Sequence, residues 1–209
     1  MEHRYFKLSE VATRSENDSP VVEGFFVRYD DVYQVADGAT ESIERGALTE
    51  AITGDVRALY NHNTDIVLGR TSAGTLTLRD TEKGLWGSIT INANDSQAMD
   101  IYARIARGDV SGCSFGFDIP KDGQRLETKD DGTVHWTITK VDPLYEVSPC
   151  VFPAYQATHI EARQQELEKI KKREAETWRV RQKKRLEEIR HGIKSADDKE
   201  EARPETDRA

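Results

Sequence analysis

Residues 110–118 read Val-Ser-Gly-Cys-Ser-Phe-Gly-Phe-Asp and alternate small with large side chains. Because successive side chains of a β-strand point to opposite faces, this stretch predicts a strand with two unlike faces. The apolar face, which is expected to pack into the core, carries Cys113, Phe115 and Phe117. The opposite face sets the hydroxyl of Ser114 between Gly112 and Gly116.

The glycines on either side of Ser114 allow two interpretations. Glycine inside a strand often marks the close approach of a ligand or of another backbone. A serine that attacks a peptide carbonyl needs such clearance, which makes Ser114 a candidate nucleophile. The alternative is a purely structural pleat on which another strand packs.

A succession of short strands surrounds this segment. β-Branched and aromatic runs predict strands over residues 21–29, 56–60, 67–71, 76–79, 85–91, 134–141 and 144–151. A helix is predicted over 96–107, with a cap among residues 94–96 and an end at Gly108, and a short helix over 47–52. Residues 121–132 are typical of a hairpin loop. The whole pattern predicts a mainly β antiparallel barrel or sandwich with flanking helices.

The composition changes near residue 160, where Glu, Lys, Arg and Gln begin to dominate. These residues favour a helix. We therefore expect a folded body over 1–159, a charged helical tail over 160–194 and a disordered C-terminus over 195–209. A tail of this kind either docks on a partner or is a solvated helix without one.

Charge and hydropathy exclude some classes of partner. The 209 residues include 30 Lys and Arg against 38 Asp and Glu, and 15 of the basic but only 13 of the acidic side chains lie in residues 161–209. The body is therefore acidic, which argues against a nucleic-acid partner. No apolar run is long enough to span a bilayer and no signal peptide is evident, so we expect a cytoplasmic location without a membrane partner. In that compartment Cys113 and Cys150 are expected to be reduced, buried thiols.

His62 and Glu146 could complete a site around Ser114. His62 follows an apolar strand and is the candidate base that would take the proton of Ser114. Glu146 lies inside an apolar run, where a buried carboxylate needs a partner, and is the candidate that would orient the base. Other residues considered for this third role are His135, His159, Asp65, Asp109 and Asp142.

Other chemistries have less support in the sequence. The chain has no Gly-rich phosphate loop, no HExxH and no CxxC motif, so neither a metal nor an organic cofactor is expected. Cys113 is an alternative nucleophile, but its position in the alternation points it into the core. Backbone N–H groups near Gly112 or Gly116 are candidate oxyanion donors.

Four blocks of the sequence, in this order, resemble the prohead serine proteases of tailed bacteriophages. The blocks are Glu23–Phe26 with Ile43–Leu48, Leu59–Asn63 with Leu68 and Gly69, Gly108–Phe117, and Tyr145–Ser148 with Pro153 and Ala154. The resemblance implies an assemblin-like antiparallel β-barrel with flanking helices. It places the family's histidine on His62 and its serine on Ser114, and it favours Glu146 for the third role.

The resemblance also implies a function. The body would be the catalytic domain of an endopeptidase that cleaves the scaffolding segment of the phage major capsid protein, and itself, inside the assembling procapsid in the host cytoplasm. The sequence leaves a homo-oligomer open. The alternative from another class is a non-catalytic capsid assembly or scaffolding protein.

Overall fold

A computed structural model of the chain describes residues 1–7, 12–16, 19–29, 31–152 and 167–188. The chain divides into two compact units, Met1–Arg163 and Gln164–Ala209. The described part of the first unit is mainly β. In chain order its strands are β1 (Glu2–Lys7), β2 (Ala12–Glu16), β3 (Ser19–Arg28), β4 (Tyr33–Ala36), β5 (Ala39–Ile43), β6 (Arg57–Tyr60), β7 (Asn63–Arg70), β8 (Leu76–Thr81), β9 (Gly84–Thr90), β10 (Gly112–Phe117), β11 (Gln124–Thr128), β12 (Val134–Ile138) and β13 (Leu144–Cys150).

These strands form three sheets. The first has five strands in the order β1-β10-β13-β6-β7, and it places β13 between the strand of Ser114 and the β6–β7 hairpin. Here β13 runs antiparallel to β10 but parallel to β6. The second sheet has the order β2-β3-β9-β8 and is antiparallel throughout. The third has the order β11-β12-β5-β4, with β12 parallel to β5.

The two faces of β10 differ as its alternation predicts. Cys113, Phe115 and Phe117 are fully buried and belong to the main hydrophobic core. The rings of Phe115 and Phe117 stack with their centroids 4.6 Å apart. Ser114 therefore points to the other face of the five-stranded sheet. Both cysteines are free and buried, as expected.

The helix predicted over residues 96–107 is confirmed as α1 (Ser96–Arg107). The side chain of Asp95 caps it by accepting hydrogen bonds from the N–H groups of Gln97 and Ala98. Gly108 ends the helix in the left-handed conformation, with φ of 89°. The apolar stripe that α1 buries consists of Ala98, Ile101 and Ile105. The short helix expected over 47–52 is instead a single 3-10 turn at Ala51–Thr53.

The described part of the second unit is a long helix, α2, over residues 167–188. Its surface is charged, and three large apolar side chains are exposed on it: Trp178, Val180 and Leu186. The predicted charged C-terminal helix is thus present, while the disorder predicted for 195–209 lies outside the described residues. None of the helices that the structure describes is long and apolar enough to cross a membrane.

The expected closed antiparallel barrel is not found among the described strands, which form three open sheets. Two strand pairs are parallel, and parallel strands cannot be joined by a hairpin. The chain must therefore make crossover connections, which excludes the all-antiparallel topology that was expected. The sequence analysis also missed β1, β2, β4, β5 and β11, the last inside the expected loop over 121–132.

Replacing Gly84 with alanine is expected to destabilise the first unit by about 2–4 kcal/mol. Gly84 opens β9 with φ of 147°, and a Cβ there would collide with the carbonyl oxygen of Val27 on β3. Urea unfolding of the full chain measures the loss.

Gly74→Ala is the matched control. Gly74 also has a positive φ, of 70°, but no atom lies within 4 Å of its added Cβ. We expect a loss of about 1 kcal/mol from backbone conformation alone. Equal losses in the two variants would contradict the role assigned to the β3–β9 contact.

Candidate active site

His62 lies in the tight turn of the β6–β7 hairpin. Tyr60 and Asn63 pair across the hairpin, so Asn61 and His62 are the two central residues of the turn. Both have positive φ values, 52° and 60°, as a type I′ turn requires. Asparagine and histidine adopt this conformation more readily than most side chains, but a residue other than glycine is still disfavoured in it and needs support from its surroundings.

Hydrogen bonds to the C-terminal end of β13 supply that support. The N–H of Asn61 donates to the carbonyl of Pro149 at 3.1 Å, and the N–H of Val151 donates to Oδ1 of Asn61 at 2.9 Å. The N–H of His62 itself donates to Oγ of Ser148 at 3.3 Å. The turn is therefore fixed to β13 through both of its central residues.

The imidazole of His62 contacts the carboxylate of Glu146. His62 Nδ1 lies 2.7 Å from Glu146 Oε1, and the two side chains are only 18% and 3% exposed. A carboxylate acceptor at Nδ1 places the proton on that nitrogen, which leaves Nε2 with a lone pair. This arrangement is the one that a histidine base requires.

Ser114 lies on the same face of the sheet as Glu146. In the β10–β13 register Ser114 is opposite Ser148, and Gly116 is opposite Glu146. Directly opposite side chains of antiparallel strands point the same way with Cβ atoms about 5 Å apart. The face that carries Glu146 and Ser148 therefore also carries Ser114.

The hydroxyl of Ser114 is 0% exposed and has no hydrogen-bond partner among the described residues. The candidate nucleophile is therefore not hydrogen-bonded to the candidate base His62 in this structure. Nε2 of His62 instead lies 4.0 Å from Sγ of Cys150, the residue next to Ser148 on that face. A buried hydroxyl without a partner is unfavourable, and in native proteins it is often linked to a catalytic role.

Ser148 is a site residue that the sequence analysis did not single out. Its hydroxyl donates to Oε2 of Glu146 and accepts the N–H of His62. Once residues 144–150 are known to form a strand, the spacing of two puts Glu146 and Ser148 on one face. The contact with His62 has no signal in the sequence, because the two residues are 86 positions apart.

The cysteines are poor nucleophiles in this environment. Cys113 points into the core, where its Sγ lies 3.2 Å from the carbonyl oxygen of Phe25, and burial raises its pKa well above the usual value. Burial, with the nearby charge of Glu146, raises the pKa of Cys150 to about 12. Both side chains are therefore neutral thiols near pH 7, whereas a cysteine nucleophile acts as the thiolate.

Two of the other candidates for the third role are bonded to groups elsewhere in the protein. Both ring nitrogens of His135 are bonded in the third sheet, to the hydroxyls of Thr40 at 2.8 Å and Ser42 at 2.9 Å. Asp109 forms an ion pair with Arg107. The remaining candidates are Asp65, whose side chain is exposed, Asp142, which precedes a cis proline, and His159, which lies outside the described residues.

The backbone near Gly112 and Gly116, where oxyanion donors were expected, belongs to a strand with neighbours on both sides. Both glycines lie in β10, which pairs with β1 on one side and β13 on the other. The N–H groups of an interior strand are used in the ladders with its neighbours. Among the residues that the structure describes, no cluster of His, Cys, Asp and Glu could hold a metal ion.

Comparisons with known proteins show the family to which the chain belongs. The family model of caudovirus prohead serine proteases matches residues 7–173, a span that contains His62, Ser114 and Glu146. Among solved structures, the capsid assembly protease gp21 of bacteriophage T4 is similar, with 12% sequence identity, 73% of this chain and 100% of that chain covered, and a TM-score of 0.46. No curated protein matches the sequence. Because the family model covers well over half of the chain, this protein belongs to the caudovirus prohead serine proteases.

Proposed function

We propose that this protein is a serine endopeptidase that cleaves the scaffolding segment of the phage major capsid protein, and itself, during procapsid maturation. The proposed nucleophile is Ser114, the base is His62, and Glu146 orients the base. The observation that carries this assignment is the buried Glu146–His62 pair on the sheet face that holds the unpartnered hydroxyl of Ser114.

The proposed reaction has two halves. His62 Nε2 takes the proton of Ser114 as Oγ attacks the scissile carbonyl, and it then gives that proton to the leaving amine. Water, activated by the same nitrogen, hydrolyses the acyl-enzyme and restores Ser114. The carboxylate of Glu146 holds Nδ1 and stabilises the imidazolium in both halves.

The side chains of Ser114 and His62 must come into hydrogen-bond contact before the first proton transfer. Nε2 of His62 lies beside Cys150, which is opposite Gly112 and is the neighbour of the Ser114–Ser148 pair on the same face. Proton transfer requires Nε2 within hydrogen-bond reach of Oγ. Catalytic hydrogen bonds are often long without substrate and shorten in the complex.

The proposed substrate follows from family membership. Prohead proteases act in the assembling shell, so the proposed partner is the capsid protein with its scaffolding segment and the proposed location is the procapsid inside the host cytoplasm. The acidic body is consistent with a protein partner rather than nucleic acid. Membership of a protease family also argues against the alternative of a non-catalytic scaffolding protein.

Ser114→Ala is expected to abolish cleavage while the fold is retained, because it removes the attacking oxygen and no other contact that the structure describes. The test is co-expression of each variant with a candidate capsid protein, followed by intact mass of both proteins. Ser111→Ala, which changes an exposed serine just before β10, is the matched control and should cleave like wild type. Cleavage that survives in Ser114→Ala would move the nucleophile elsewhere.

Glu146→Gln is expected to lower kcat on the order of 10⁴-fold, because it keeps the size of the side chain but removes the charge that stabilises the imidazolium and the acceptor that fixes its tautomer. His62→Ala should lower kcat much further, because it removes the base. Both are measured on a peptide that spans the mapped cleavage site. Equal losses would indicate that Glu146 does more than orient the histidine.

We further propose that residues 1–159 form the catalytic domain and that the tail over 160–194 docks the protease on the scaffold. The charged surface and exposed Trp178, Val180 and Leu186 of α2 support a docking role. Deleting residues 161–209 is expected to reduce incorporation into procapsids and to leave peptide cleavage unchanged. Unchanged incorporation would rule out docking.

A further inference from the structure

Ser148 links the two groups on which the proposed base depends. It lies on β13, is 0% exposed, and its hydroxyl forms two hydrogen bonds. The hydroxyl donates its proton to Oε2 of Glu146, and its oxygen accepts the N–H of His62 at 3.3 Å. A hydroxyl can donate and accept at one atom, as this position requires.

The first hydrogen bond fixes the carboxylate of Glu146. The terminal torsion of a glutamate side chain has a broad energy profile, so a carboxylate held through one oxygen can rotate. Oε1 accepts from Nδ1 of His62, and Oε2 accepts from Ser148. With both oxygens held, Oε1 stays on the imidazole.

The second hydrogen bond acts on the backbone of His62. This residue has φ of 60°, a conformation that is disfavoured for any residue with a Cβ and that the surroundings help to maintain. The bond from its N–H to Ser148 ties the strained residue to the strand that carries Glu146. One hydroxyl thus fixes the base and its carboxylate relative to each other.

We infer that Ser148 is a positioning residue of the protease, whose hydroxyl holds Glu146 and the turn at His62 in the geometry that proton transfer needs. The inference rests on the proposed roles of His62, Ser114 and Glu146. Ser148 acts through these groups and does not itself react, because its proton is directed at a carboxylate and not at the imidazole.

Kinetics of Ser148→Ala give the first test. We expect kcat to fall about 10- to 100-fold with KM unchanged, because displacement of a catalytic group by about 1 Å has effects of this size. Ser148→Thr keeps the hydroxyl and should recover most of the lost activity. Ser42→Ala is the matched control, since it also removes a serine hydroxyl bonded to a histidine, at His135 in another sheet.

A double-mutant cycle distinguishes positioning from general loss of stability. If Ser148 acts mainly through the carboxylate, adding Ser148→Ala to Glu146→Gln should lower kcat by less than about 5-fold. A purely structural role would lower kcat by the same factor in both backgrounds. That equality, with folding checked by near-UV circular dichroism, would overturn the inference that Ser148 holds Glu146.

The ring of His62 gives a readout that does not depend on activity. In ¹⁵N-labelled protein the Nδ1 proton signal, assigned by its loss in His62→Ala, should move upfield or broaden in Ser148→Ala and be retained in Ser42→Ala. An unchanged signal in folded Ser148→Ala would contradict the inference.

A fluorophosphonate probe separates failure of the inference from failure of the proposed function. Wild type should be labelled on Ser114, as mapped by peptide mass, and Ser148→Ala should be labelled more slowly at the same residue. A wild-type chain labelled nowhere, or only on another residue, would refute the proposed function, while the His62 signal would still test the role of Ser148. A label found on Ser148 would overturn the inference directly.

Discussion

A carboxylate buried in the middle of a five-stranded sheet is the constraint on which the site depends. Glu146 is almost fully shielded from water, and a carboxylate in that position is stable only when it is paired and hydrogen-bonded. His62 and Ser148 provide those contacts, one to each carboxylate oxygen. The requirement therefore draws the β6–β7 turn onto β13 and helps to hold His62 in a backbone conformation that is disfavoured for residues other than glycine.

The position of β13 within the sheet turns this contact into a candidate site. It pairs with the strand of Ser114 on one side and with β6, which leads into the turn, on the other. Two long-range strand pairings thus bring together three residues that are far apart in the chain. The alternation of side chains along β10 completes the site. It points Ser114 to this face and points its neighbours Cys113 and Phe115 into the core.

Some of the structure could be predicted because its causes are local. The capped helix α1 matched its expected bounds, since its cap, stripe and glycine stop act within a few residues. The strands with β-branched and aromatic runs were also located. In contrast, five strands were missed, because each is only four to six residues long and four of them lie at the edge of a sheet: β1, β2, β4, β5 and β11. The parallel pairs, which rule out the expected barrel topology, depend on crossovers that leave no local pattern.

The sequence by itself determined the two unlike faces of β10, the capped helix, the charged tail and, through resemblance, the candidate residues His62, Ser114 and Glu146. Only the tertiary structure decided that Glu146 contacts the imidazole, that His135 is bonded elsewhere and that Ser148 joins the site. The physical reason is sequence separation. Side-chain alternation and helix capping act between near neighbours, whereas the Glu146–His62 contact spans 84 residues and exists only after β13 and β6 have paired.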